Sequence, residues 1–403
     1  MSHSSWRTPA IIIACGSIIL IIGNGLRSGS GLFLQPMTMA HGWTRETFSL
    51  AIGLQNIFWG LGGPFFGAIC DKFGAGRTLV TGAVLMALGY YGMSQAQTGA
   101  ALVWSAGVLI GFGVSGSGLA IVLSVFARQV ETRYRSVVLG VGTAAGSMGQ
   151  FVMLPVGQAL IDAYGWQQAL VLQALMVVLI IPLSLAMAGK PAARPFAGHA
   201  DQSIAEAVKT AVRDRSFVLL FFGYFTCGFQ TIFIGVHLPS YLVDRGLSPT
   251  LGAAAIATVG LFNVIGSLTS GWLGGRYSKR YLLAGIYLCR SLVTAVFILL
   301  PLSTLSVYLF SAFIGVFWLS TVPLTQGLVG QRWGLRYMST LVGVIFLGHQ
   351  VGSFLGAWLG GVIFDATGSY TIAWWLIIGS GVYAAILHLP IRETPLRPSP
   401  AMA

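Results

Sequence analysis

Apolar runs of about twenty residues recur along almost the whole of this chain, and that recurrence constrains its fold more than any other feature. Hydrocarbon offers the backbone no hydrogen-bond partner, so a spanning segment must satisfy every N–H and C=O internally; a helix does so in roughly 20 residues. On that rule twelve spans are expected, at about 9–38, 47–70, 78–97, 100–127, 136–162, 166–188, 217–243, 250–275, 281–301, 304–330, 338–364 and 371–390. Only 8% of the 403 residues are charged, against about 25% in a soluble domain. The expected class is an all-α membrane protein of twelve transmembrane helices, with the lipid bilayer as its surroundings and no soluble domain of useful size. The first apolar run continues to about Pro36 with no A-x-A-like cleavage site, so it reads as a span and not as a removed leader.

The net charge of +12 would suit a nucleic-acid binder, but its placement argues otherwise. Eighteen of the 22 Lys and Arg fall on the side that holds both termini, and two, Arg45 and Arg245, on the other. By the positive-inside rule this bias reports orientation, so both termini are expected in the cytoplasm of a plasma membrane, with no nucleic-acid partner. The four cysteines, Cys15, Cys70, Cys227 and Cys289, sit within or at the edges of apolar runs and read as packing residues.

A polar, proline-containing loop at 190–216 divides the chain into a six-span bundle, 1–189, and a second, 217–403. The halves echo each other at an offset of 203 positions: Pro36 with Pro239, Gly149 with Gly352, Gly157 with Gly360, Asp162 with Asp365, Gly165 with Gly368. Six-span repeats of this kind describe a transporter architecture that binds its substrate between the halves near the midplane.

Two charged side chains remain inside the spans, Arg27 and Arg290, while all ten acidic residues fall in loops or at span ends. An isolated intramembrane cation costs about 2.5–3.5 kcal/mol on insertion scales. Something must neutralise it, and a small organic anion from outside the protein would do so. Arg27 lies about 18 residues into span 1, where its planar guanidinium could fork onto a carboxylate. Arg290 lies ten residues past Arg280, hence about 15 Å deep at 1.5 Å per residue; substrate contact and helix-to-helix hydrogen bonding are equal readings for it. With no intramembrane carboxylate, a proton-coupled mechanism would use His237, His349 or the substrate itself. The neutral amides Gln55, Asn56, Gln230, Asn263 and Gln350 are candidates for substrate or for interhelical bonding. Gln230 is the repeat partner of Arg27, and Trp59 and Trp318 could wall a cavity.

Between spans 2 and 3 stands Gly67-Ala-Ile-Cys-Asp71-Lys72-Phe-Gly74-Ala-Gly-Arg77. It resembles the G-x-x-x-D-R/K-x-G-R-R loop of the major facilitator superfamily, which implies a gating role for Gly67, Asp71, Lys72, Gly74 and Arg77. A degenerate copy lacking the acid follows span 8, from Gly271 to Arg280. Span 1 (Gly25-Leu-Arg27-Ser-Gly-Ser-Gly31), the start of span 2 (Gly42-Trp43-Thr-Arg45-Glu46) and span 11 (His349-Gln350-Val-Gly-Ser353, then Phe364-Asp365-Ala-Thr-Gly368) resemble the bacterial monocarboxylate-transporter-like branch of that superfamily. The animal members of the branch carry an Asp and an Arg one turn apart in span 8. Here the stretch Leu261-Phe-Asn263-Val-Ile-Gly-Ser267 has neither, so the resemblance brings over neither lactate nor that proton relay.

The resemblance implies a monomeric secondary transporter of small monocarboxylates working by proton symport and alternating access. The rival within transport is an efflux antiporter of drugs or metabolites; span 5 lacks the G-P-x-x-G-G pattern associated with it. A rival of another class is a non-transporting membrane sensor, for which the chain has no added signalling domain. An enzyme would need paired carboxylates, H-E-x-x-H or G-x-S-x-G, and none is present. No phosphate-binding loop, cofactor motif or metal-ligand set occurs either.

Overall fold

The computed structural model describes residues 8–129, 135–188, 204–333 and 338–396, without the side chains of 68, 71, 72, 127–129, 135–139, 204, 338 and 339. Within them the chain is helical. Span 1 is α1 (Pro9–Ser28), a 3₁₀ turn (Ser30–Phe33) and α2 (Leu34–His41). Spans 2 and 3 are α3 (Arg45–Phe73) and α4 (Ala75–Ser94). Span 4 is α5 (Gly99–Leu102), a π-helical stretch (Val103–Leu109), α6 (Ile110–Ser117) and α7 (Leu119–Gln129). Spans 5 and 6 form α8 (Arg135–Val178), continued by α9 (Ile180–Ser184). After α10 (Ile204–Arg213) come α11 (Arg215–Asp244), α12 (Pro249–Gly274), α13 (Lys279–Leu299), α14 (Thr304–Phe317), α15 (Thr321–Trp333), α16 (Met338–Thr367) and α17 (Thr371–His388).

Among the described residues, nine segments are long and apolar enough to cross a membrane on length and composition alone. The helices α3 and α4, and the division of α8 at Gly165, whose φ of 78° no ordinary helix holds, complete the expected twelve. Observed ends lie within a few residues of those expected. Spans 1, 4, 6 and 10 are broken where a plain apolar run gave no warning: span 1 at Gly29–Phe33, span 4 at its π turn and at Gly118, span 6 at Leu179 and span 10 between Phe317 and Thr321.

The repeat is visible in the packing. Gly165 and its partner Gly368 both adopt positive φ, 78° and 67°, a conformation that L side chains avoid. A Cβ on Gly149 of α8 would strike the backbone of Ile21 in α1, and one on Gly352 of α16 that of Phe225 in α11. Gly25 and Gly228 face the same two seams from the other side, against Gly149 and His349. Small residues let these backbones meet, which is how helices associate when lipid is as apolar as leucine.

The 190–216 region, expected as a polar loop, contains a helix. In α10 the i, i+4 pair Ala207 and Ala211 is buried while Glu206, Lys209 and Arg213 are exposed. Ala211 joins a core with Phe217, Leu220 and Leu328. Asp214 then accepts from the Ser216 N–H at 3.0 Å and pairs with Arg332 at 2.6 Å.

By compactness the chain forms two units. One is Met1–Ala193 with Ile232–Leu261 and Phe354–Tyr370; the other is Arg194–Thr231 with Phe262–Ser353 and Thr371–Ala403. In the first, α1 packs on α8, and α3 and α4 on α6. In the second, α13 packs on α14, α15 and α17.

Candidate functional site

Arg27 stands in the last turn of α1, where the helix stops at Gly29. Asn24, one turn earlier, donates to the Gly146 carbonyl of α8 at 3.0 Å and fixes this end. The guanidinium lies 4.5 Å over the ring of Trp59 in α3, and Tyr90 of α4 is near enough to act on it electrostatically. Its Nε is buried without a hydrogen-bond partner. Among the described residues no carboxylate forms an ion pair with it. The negative end of the α1 dipole and the Trp59 face answer part of the charge, each worth about 0.5–1 kcal/mol in ordinary settings. A guanidinium so placed still has donors to give an anion.

Arg290 on α13 is the opposite case, buried to 2% exposure. Its Nε and Nη2 donate to the Phe317 carbonyl at 2.9 and 2.6 Å, and Nη2 also donates to that of Trp318. Nη1 donates to Gln230 Oε1 at 3.3 Å, and both Nη atoms lie on Cys227 Sγ, at 3.6 and 3.7 Å. A helix that stops inside a membrane leaves carbonyls with no partner; Arg290 supplies one at the end of α14. Asn263 serves the other side of the same break, its Oδ1 accepting from the Leu319 N–H at 3.0 Å and from Ser267 at 3.2 Å. Gln230 is engaged too, donating to the Ile377 carbonyl at 2.9 Å. Of the two readings open for Arg290, helix bonding fits its contacts, which leave no donor for a ligand. Trp318 contributes its backbone carbonyl here, with its side chain buried.

His349 in α16 lies beside Tyr224, with ring centroids 5.0 Å apart. Its Nδ1 is 3.0 Å from Gln350 Oε1 and 3.4 Å from Ser353 Oγ. The amide oxygen can only accept, so Nδ1 carries a proton. In the other unit, Gln55 of α3 donates to the Ala106 carbonyl at 2.8 Å, inside the π turn, and its Oε1 is buried without a partner. Asn56 donates to the Ile52 carbonyl of its own helix at 2.9 Å.

A third constellation gathers around Arg45, at the start of α3. Its two Nη atoms grip Asp244 of α11 at 2.7 and 2.6 Å, a bidentate fork. Nη1 also donates to the Tyr370 hydroxyl at 2.9 Å, and the guanidinium lies 3.8 Å over Phe364. Asp365 at the end of α16 accepts from the backbone N–H of Arg45 and Glu46, at 3.1 and 2.6 Å, capping α3. Glu46 accepts from Trp358 at 3.2 Å. Tyr370 lies 3.1 Å from His237 Nδ1, and His237 Nε2 is 2.7 Å from the Ala357 carbonyl. The carbonyl can only accept, so Nε2 carries the proton and Nδ1 receives the Tyr370 hydroxyl. Burial pushes the Tyr370 phenol up to about 12, against the opposing pull of Arg45, so it remains a donor at neutral pH. Burial alone would lower the Arg45 value; the bonds to Asp244 and Tyr370 outweigh it and the net direction is up.

The profile of the Major Facilitator Superfamily matches residues 13–357. The chain belongs to that superfamily. It is similar to an uncharacterized MFS-type transporter, YcxA of Bacillus subtilis (strain 168), 27% identical over 94% of each chain. It is also similar to monocarboxylate transporter 13 of Bos taurus, 27% identical over 86% of this chain and 81% of the relative, and to monocarboxylate transporter 12 of Mus musculus, 24% identical over 80% and 73%. It is thus a multi-pass membrane transporter, and not an enzyme, with a small-molecule cargo.

Of the superfamily motif, Gly74 holds φ of 92° between α3 and α4, Arg77 is exposed, and Gly67 has open space where a side chain would stand. The side chains of Asp71 and Lys72 lie outside the described residues. Sequence reasoning passed over the Arg45 constellation and the thiol on Arg290. A signal for the first existed: Arg45 is one of only two basic residues on its side of the membrane.

Proposed function

We propose that this transporter carries small organic anions, chiefly monocarboxylates, by proton symport across a bacterial plasma membrane, as a monomer with cytoplasmic termini. The observation that carries the reading is Arg27: a half-buried guanidinium over an aromatic face, with a buried, unpartnered Nε and, among the described residues, no carboxylate paired with it. The cost of keeping such a cation in a membrane is offset if an anion arrives to meet it. A carboxylate fits the planar fork, and Trp59 suits the apolar remainder of a small acid. The names of the mammalian relatives favour the same class.

The Arg45 constellation is the gate in this reading. It ties the ends of α3, α11 and α16 on the side with few basic residues, and alternating access requires such a tie to break. Reconstituted protein should take up radiolabelled monocarboxylates when a proton gradient is imposed, and Arg27→Gln should not. Uptake by the variant at the wild-type rate would remove the reading's main support. Release driven by an opposing proton gradient would favour the efflux rival.

A further inference from the structure

Arg290 has no carboxylate beside it among the described residues, yet one of its contacts can hold negative charge. Both Nη atoms face Cys227 Sγ, at 3.6 and 3.7 Å, and the Thr321 hydroxyl lies 3.4 Å from the same sulfur. His349 on α16 is near enough to act on the thiol electrostatically. The Tyr287 ring on α13 lies 5.4 Å from the Arg290 guanidinium, and the Tyr224 phenol on α11 is near enough to act on the thiol electrostatically. Among the described residues, the titratable and charged groups that act on the thiol are one fixed cation, one imidazole and two phenols. A thiol among a guanidinium, a hydroxyl donor and a histidine is in the setting that stabilises thiolates elsewhere.

We propose that Cys227 is the acid of the membrane interior, held as a thiolate by Arg290 and protonated through His349. The proton moves from an imidazole nitrogen to sulfur; an N–H bond breaks, an S–H bond forms, and no oxidant or reductant is needed. Since Nδ1 of His349 is committed to Gln350, Nε2 is the nitrogen that exchanges. His349 retains 8% of its surface while Cys227 retains none, so the imidazole is the side from which a proton arrives. The same guanidinium that holds the sulfur also holds the carbonyls of Phe317 and Trp318 at the break in span 10. Protonating Cys227 therefore removes one of the ties joining α11, α13 and that break, which gives a proton leverage on a discontinuous helix.

The inference rests on the transport reading for its coupling arm only, and the test has two arms. The first uses full-length protein with Cys15, Cys70 and Cys289 changed to Ala. Thiolate ultraviolet absorbance is expected at neutral pH and is lost on Cys227→Ala. Thiolate absorbance that appears only in alkali overturns the proposal. The second arm measures the pH profile of uptake. The profile is expected to flatten in Cys227→Ser and to return, displaced, in Cys227→Asp, which restores an ionisable acid. A wild-type profile in Cys227→Ser also overturns the proposal, even with a thiolate present. A wild type that carries no carboxylate at any pH sinks the transport reading instead, and the absorbance then decides alone on the acid.

Discussion

Arg27 and Arg290 are the two cations of the membrane interior, and the chain treats them in opposite ways. Around Arg290 every donor is met by a carbonyl, an amide or sulfur, and the residue closes a break between two half-helices. Around Arg27 the surroundings are a helix end, an indole and a phenol, and a buried nitrogen remains open. The lesson is that depth and charge do not identify a ligand site. What distinguishes one is unspent hydrogen-bonding capacity, because a fully bonded arginine gains nothing from a second partner.

The widest gap between the two should be in stability. Arg290→Ala strips partners from two buried carbonyls, so about 1–3 kcal/mol for each should be lost, read as early unfolding in detergent. Arg27→Gln should leave that midpoint within a few degrees; equal destabilisation by both would erase the contrast. The complementary measurement is ligand affinity. Two charge-assisted hydrogen bonds at roughly 1.5–3 kcal/mol each imply at least about a 100-fold loss of carboxylate binding in Arg27→Gln. Arg27→Lys should recover only part of it, since an ammonium cannot fork.

Smaller effects belong to the proposed gate. The Arg45–Asp244 pair is partly exposed, at 11% and 24% of its side-chain surfaces, so its worth lies between surface and buried pairs. Asp244→Asn should shift the conformational balance by about 1–2 kcal/mol, a factor of roughly 5–30. Labelling of a cysteine beside Asp244 from the Arg45 side should rise accordingly, and unchanged labelling would deny it a gating role. Least of all, Asp365→Ala should cost about 1 kcal/mol through loss of the bonds it adds to the start of α3, beside the Thr44 cap, and Asp365→Asn should recover most of it. If Asn fails to do so, the carboxylate's charge toward Arg45 matters more than those bonds.

The spans and the repeat were legible in the sequence because bilayer thickness fixes apolar length and because glycine at a helix crossing has no substitute. The broken spans were not, since a glycine in an apolar run marks a close approach as often as a stop. Arg27, Arg290, His237 and His349 stood out as polar atoms in an apolar background. Their partners did not: Cys227 reads as a packing residue, and Asp244, Asp365 and Tyr370 are ordinary loop-end residues until the fold sets them beside Arg45. Which donors are already occupied is a property of three helices at once, and no spacing along one segment encodes it.

The helix α10 bears on how the protein can be cut and rejoined. Ala211 is part of the core around Phe217 and Leu328, and Asp214 holds Arg332. Two co-expressed fragments should therefore reassemble when the cut precedes Ile204 and α10 travels with the C-terminal piece. Severing the chain between Arg213 and Phe217 would deliver that piece without its anchor. A fluorescent reporter or purification handle spliced ahead of Ile204 leaves the anchor whole, whereas the same insertion eleven residues later would pry Asp214 from its partner.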